Sequence, residues 1–216
     1  MLGIIPCGSG NGFGTHLKIP PRYTKGSIEV LNTGKVVKMD LVKSNLRYFV
    51  SNAGFGIDSS VARRFRHHRI RGFFSYAGAV ITEILFYFKP VDAKIEIDDV
   101  LIEKPIYLFT AFNANQYGYN FGIFPFTSLK DGIMDVIVLS KFPIWKLPYI
   151  LFCLFLKRAD LIKEAECYRA RKVTIFGNKK MNYQFDGDSV IHHGDITFEV
   201  MPNCIDVIVP KNLNAY

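Results

Sequence analysis

Residues 2–20, LGIIPCGSGNGFGTHLKIP, set an apolar run, a glycine-rich loop and a helix-like start in direct succession. No other stretch restricts the fold as much. Residues 2–6 read as a buried strand of a parallel sheet, because the run is continuously apolar rather than alternating. Gly8 and Gly10 let backbone approach an anion closely, and the amides opening the next helix would point at it. The pattern suits a phosphate cradle, and it equally suits a tight strand-to-helix turn with no ligand.

Near the other end, Gln184-Phe185-Asp186-Gly187-Asp188 sets two carboxylates around a glycine between strand-like runs. Two acids so placed can divide work, one taking a proton from a hydroxyl nucleophile while the other holds a cation near phosphate oxygens. An Asp-Gly hairpin turn explains the same residues without chemistry. Residues 129–136, LKDGIMDV, carry the same ambiguity between a turn and an oxygen-ligand metal site.

Between these ends the chain is β-rich. Short strands are predicted at 27–30, 35–42 and 47–52, then at 93–97, 104–113, 134–139, 170–176, 182–186, 196–200 and 205–209, with turn residues between them. Helices are predicted at 60–68, capped by Asp58 or Ser59, and at 73–88, stopped by Pro90. The only internal boundary suggested is near residue 25. Cys7, Cys153, Cys167 and Cys204 lack paired metal-ligand spacing and read as reduced core thiols.

The 216 residues carry 27 Lys and Arg against 19 Asp and Glu, a formal net charge of +8 that favours anionic partners. Residues 63–71, RRFRHHRIR, concentrate that charge, with interleaved Phe65 and Ile70. This suits a lipid headgroup boundary better than nucleic acid, which no recognition motif supports. Residues 143–157, with Trp145, Tyr149, Phe152 and Phe155, form a second candidate for lipid contact, but apolar residues on nearly every side favour burial. Neither apolar segment suffices for a membrane span, and Met1 leads directly into a strand-like run without a basic leader, so a cytoplasmic, peripherally membrane-associated protein is expected.

In this order the segments resemble the lipid kinase family that contains bacterial diacylglycerol kinases and the sphingosine and ceramide kinases. GSGNG at 8–12 is similar to that family's GTAND or GSGNA loop, and Asn52-Ala53-Gly54-Phe55-Gly56-Ile57-Asp58 to its N-x-G-F-G/D-x-[DE] strand and turn. Residues 130–136 resemble its DDGLLDV segment, and residues 185–188 its DGE. The resemblance implies a mainly β chain with helices (α+β). Residues 1–25 would be a remnant of an α/β nucleotide domain, and 26–216 the β-sandwich C-terminal domain of the NAD kinase/diacylglycerol kinase-like fold. It implies ATP and Mg as cofactors and a diacylglycerol- or sphingoid-type lipid as substrate. An anionic membrane surface is the implied partner, with no nucleic acid and a homodimer left open.

The same resemblance implies roles by position. Gly8, Ser9, Gly10 and Asn11 would contact nucleotide phosphates, and Asp186 would receive the lipid hydroxyl proton. Asp188 stands where the family has Glu, with a reach shorter by one methylene. Asp58 would face the substrate headgroup. Asp131, with the carbonyls of Ser128 and Ile133, would hold a structural magnesium, although Lys130 replaces an acid there. The family's GGDGT loop has no counterpart in these residues, so residues 1–216 are expected to be an inactive C-terminal part of such a kinase. The alternative is a non-catalytic lipid-binding module that keeps the β domain.

Overall fold

The computed structural model describes residues 1–8, 11–21, 24–65, 78, 81–87, 89–114, 127–156 and 158–213. The predicted helix at 73–88 and the basic residues 66–71 lie mostly or wholly outside them. Within the described part, eleven strands form one continuous antiparallel sheet that curls into a sandwich-like body. They are β1 (Lys35–Ser44), β2 (Tyr48–Phe49), β3 (Asn52–Gly56), β4 (Val91–Ile97), β5 (Val100–Phe112), β6 (Met134–Ser140), β7 (Ala165–Ala170), β8 (Lys172–Phe176), β9 (Met181–Phe185), β10 (Asp188–His192) and β11 (Ile196–Val209). Helices α1 (Gly12–His16), α2 (Thr24–Thr33), α3 (Ile57–Phe65) and α4 (Leu147–Phe155) pack around the sheet.

Strand order is β10-β9-β3-β5-β4-β8-β11-β1-β2, with β6 added to β5 and β7 to β6. Thirteen-residue β5 makes the curl possible: its first half pairs with β4, and its second half with β3 and β6 across a register shift near Tyr107. β4 shows the simplest patterning, with Ala93, Ile95 and Ile97 inward and Asp92, Lys94 and Glu96 exposed. β6 is buried on both faces. Met134, Val136 and Val138 point into the main core, while Ile137 and Leu139 join Leu108 and Phe112 beneath α4, which explains its unbroken apolar sequence.

The main core centres on aromatic rings. Phe198 lies edge-on to Phe49 (5.4 Å between centroids) and Phe185 (6.0 Å), and stacks with Phe109 (6.2 Å). β11 runs unbroken through the two predicted strands at 196–200 and 205–209. It does so by a bulge in which residues 202–204 oppose the single residue Asp40. The buried Asp40 carboxylate accepts the N–H of Asn203 (2.8 Å), whose φ is +52°, and that of Gly132 (2.7 Å).

Three expectations are corrected here. The apolar run at 2–6 pairs only at Leu2, in a parallel bridge to Val207; Met1, Gly3 and Ile5 stay exposed, because no strand flanks the other side among the described residues. Residues 27–30 are helical within α2, where Leu31 lies over Gly3. Of the four thiols only Cys153 is buried; Cys7, Cys167 and Cys204 are exposed and free.

Phe198→Ala should lower unfolding stability by about 3–5 kcal/mol, since the surrounding rings cannot close the gap. Urea titration checks this as a lower midpoint with an unchanged slope.

Candidate active site

The Asp186-Gly187 pair forms the two-residue turn between β9 and β10, with φ +49° and +89° at the two positions and Phe185 paired to Asp188. These angles belong to a type I′ hairpin, so the turn reading is correct as local structure. The turn also does more. The Asp186 carboxylate folds back onto the corner before β3 and accepts three backbone N–H groups, from Val50 (2.9 Å), Ser51 (2.8 Å) and Asn52 (3.1 Å). Its own N–H donates to the Asn52 carbonyl (2.8 Å). Burial raises its pKa, the three amides pull it back down, and the nearby Asp188 charge raises it again. Asp188, at the first position of β10, is exposed, and Asp186 too keeps exposed surface although its carboxylate is folded against the corner.

A polar layer beneath α3 supports this turn from behind. Gln184 donates from Nε2 to Asn52 Oδ1 (2.6 Å) and Asp58 Oδ2 (3.2 Å), and accepts the Gly187 N–H (3.0 Å). Thr110 Oγ1 donates to Asp58 Oδ2 (2.9 Å), and the Ser59 N–H to Asp58 Oδ1 (2.6 Å). Gly54 leaves room for this layer: a Cβ there would press on the Phe109 carbonyl and lie 2.9 Å from Thr110 Cα. Asp58 is thus enclosed within the first turn of α3, and burial pushes its pKa up to about 7 against those three donors. The Asp58 carboxylate, for which a headgroup role was expected, is occupied here by donors inside the protein.

The glycine-rich loop approaches from the β1–β11 side. Asn11, at φ +47°, precedes α1 and donates from Nδ2 to the Gly8 carbonyl (2.6 Å), closing the loop on itself. Ser9 and Gly10 lie outside the described residues. Gly14 lets α1 pack on the preceding segment, since a Cβ would stand 2.9 Å from Pro6 Cγ. Leu17, just after α1, shares a buried cluster with Met39 and Ala114. The Ala114 N–H donates to the Ser51 carbonyl (3.0 Å), and Ser51 in turn donates to Asp186. The segment after α1 and the hairpin are thus linked through the same corner, residues 50–52. Asn113 braces it, donating from Nδ2 to the carbonyls of Val50 and Asp40 (3.0 Å each).

The expected magnesium site does not hold its shape. Arg169 Nη2 forms an ion pair with Asp131, and Arg169 Nε lies 3.5 Å from Asp135 Oδ1. The Ile133 N–H donates to Asp131 Oδ1 (3.2 Å), and Ser128 Oγ accepts the Lys130 N–H (3.2 Å). A guanidinium already balances the charge a cation would meet, and no cluster of three metal-ligating side chains occurs among the described residues. Arg169 thus pairs with the one carboxylate, Asp131, that the expected site would offer beside the carbonyls of Ser128 and Ile133.

Several contributors gave little sequence signal. Gln184 could have been found: it alternates with inward Tyr183 and Phe185, so a buried amide on the other face demands partners. Arg169 and Asn113 could not, because their partners lie far away in sequence. A cavity of about 480 Å³ lined by Asp92, Lys94, Glu103, Lys104, Phe176 and Asp195 shares none of these residues.

A curled antiparallel sandwich with an acid-bearing hairpin clamped to the corner before β3 defines the class of lobe. Residues 51–209 match the family model of the YegS C-terminal NAD kinase beta sandwich-like domain, and the chain belongs to that family. It is 28% identical over 218 residues to a diacylglycerol kinase of Staphylococcus epidermidis and 27% identical to one of Staphylococcus carnosus. These alignments cover 98% of this chain and 67% and 69% of the relatives, so the chain spans about two thirds of their length. A crystal structure of a diacylglycerol kinase from Bacillus anthracis has the same fold, with TM-score 0.67 at 16% identity over 98% of this chain and 67% of that one.

Because Asp58 stays protonated in the folded state up to about pH 7 but ionises near 4 when unfolded, stability should fall as pH rises through that window and level off above it. Asp58→Asn should remove most of that slope, a few kcal/mol at most, in urea midpoints compared at pH 5 and pH 8. Asp135 and Asp186, shifted in the same direction, leave a residue of it. Arg169→Ala should lower the melting temperature and make it rise with millimolar Mg²⁺, whereas the wild-type temperature should not respond to Mg²⁺ or chelator.

Proposed function

We propose that this chain carries the acceptor side of an ATP-dependent lipid kinase that phosphorylates the hydroxyl of a diacylglycerol- or sphingoid-type lipid. The family and the names of its relatives support this reading. One observation carries it: Asp186 clamps the hairpin to residues 50–52 and so fixes exposed Asp188 beside that corner. Positioning supplies most of the rate in phosphoryl transfer, so a base on a clamped turn is the useful arrangement.

The two acids then have different tasks. Both oxygens of Asp186 are engaged by backbone amides, so it orients the turn, and the proton falls to Asp188 rather than to Asp186 as the resemblance implied. In the proposed step the lipid hydroxyl oxygen bonds to the γ-phosphorus, and the bond to the bridging oxygen breaks with its electron pair leaving on ADP. The hydroxyl proton passes to the Asp188 carboxylate. A divalent ion arriving with ATP would offset phosphate charge. Gly8 and Asn11, with Ser9 and Gly10, take the phosphate side. Asp58 acts indirectly, holding Gln184 and through it Gly187.

The test is transfer from γ-labelled ATP to diacylglycerol and, separately, to sphingosine by protein expressed from the complete natural gene. Asp188→Asn should lower kcat by about 100-fold or more with an unchanged melting temperature. Asp186→Asn should lower both kcat and melting temperature. Full turnover by the Asp188 variant would remove it from the mechanism, and no labelled lipid from the wild type would remove the reading itself.

A further inference from the structure

Helix α4 has two unlike faces. Leu147, Ile150 and Cys153 turn into the cluster over β5 and β6. Trp145, just before the helix, with Tyr149, Phe152 and Leu156, recurs at spacings of four, three and four residues and points away. Trp145 is 73% exposed and Phe152 59%. Burial, the expectation for this segment, holds for one face only, because the sheet offers a single surface to pack against. Phe86, 74% exposed, belongs to the π-helical turn Glu83–Tyr87, in which Ile84 packs on the same cluster as Ile150. Large contiguous exposed apolar surface on a soluble body marks an interaction site.

The charge around it indicates the occupant. Residues 141–165 carry five cations and two acids. Both acids are already used, Glu164 by Lys146 and Asp160 by Arg158. The excess includes Lys141 and Lys163, both exposed and close in sequence to the two ends of the apolar segment. Trp and Tyr on an apolar stripe with a basic rim match a boundary where hydrocarbon meets anionic headgroups. Nine helical residues are only about 14 Å long, roughly half a bilayer core, so the helix can lie in that boundary but not cross it.

We propose that this face is a membrane-docking surface: α4 lies in the plane of an anionic bilayer, with Trp145, Tyr149, Phe152 and Leu156 below the headgroups and the basic rim against lipid phosphates. The inference deepens the lipid-acceptor reading, since an enzyme whose acceptor resides in a bilayer works at its surface, but it is tested without ATP or acceptor. Trp145 is the sole tryptophan, so its emission reports the contact directly.

Residues 1–216 mixed with phosphatidylglycerol–phosphatidylcholine vesicles should show a blue shift of Trp145 emission and cosediment. Both effects should weaken with added salt and be small with phosphatidylcholine alone. Phe152→Glu should weaken binding at least tenfold with unchanged circular dichroism and melting temperature, and Leu156→Glu serves as a second variant. Unaltered Trp145 emission with anionic vesicles, or equal binding by both variants, overturns the proposal. So does self-association in the ultracentrifuge that the variants abolish while vesicles produce no shift, which would assign the face to a second copy. Vesicle binding without lipid phosphorylation would leave docking intact and remove only the kinase reading.

Discussion

The Asp186 carboxylate takes the N–H groups of Val50, Ser51 and Asn52, three donors that the corner between β2 and β3 cannot satisfy through sheet pairing. A buried amide left without an acceptor costs roughly 1–3 kcal/mol, so this one side chain allows the corner to be buried at all. The corner in turn receives Asn113 from the end of β5, and Asn113 reaches Asp40 at the β11 bulge. A continuous polar path therefore joins the hairpin, the sheet centre and the long β1–β11 ribbon. The pKa of Asp186 is raised in spite of its three donors, so burial outweighs them and the cluster does not maximise the stability of that ion.

Around this path the sheet separates two kinds of interface. Beneath α4 the contacts are entirely apolar, from Leu108, Phe112, Ile137 and Leu139. Beneath α3 they are polar: Asn52, Asp58, Thr110 and Gln184 close on one another, and Asn182 donates to the Ser59 carbonyl (2.8 Å). Apolar packing tolerates small shifts, whereas a buried hydrogen-bonded layer has one satisfied arrangement. The layer with directional bonds lies behind the acid-bearing turn, where fixed geometry matters.

What the sequence made legible follows the same division. The Asp-Gly turn and most strands were readable, because turn chemistry and period-two burial are local properties. Residues 27–30, SIEV, look like a strand by composition, but they lie within α2, where Leu31 rests on Gly3, a tertiary contact that composition does not record. The aromatic segment before and within α4 read as buried because its apolar residues surround the helix, yet among the described residues its inward face packs on the cluster over β5 and β6 while Trp145 and Phe152 stay exposed. Arg169 escaped notice since its partner Asp131 lies 38 residues away, and the enclosure of Asp58 depends on Thr110 and Gln184, 52 and 126 residues distant. The two acids of the hairpin were identified, but their separate tasks depend on where each carboxylate points, and a type I′ turn sends consecutive side chains in different directions.

That divergence has an electrostatic consequence for the proposed reaction. Asp186 and Asp188 repel, and the Asp188 charge is one of the causes holding the Asp186 pKa up. When Asp188 accepts a proton the repulsion is lost, Asp186 becomes a firmer anion, and charge-assisted bonds to the three amides strengthen. The turn is then held most tightly at the moment the proton moves. An amide at this position could accept at only one of its two terminal atoms and would lack this response, which is a physical reason for placing two acids, rather than one acid and an amide, on either side of Gly187.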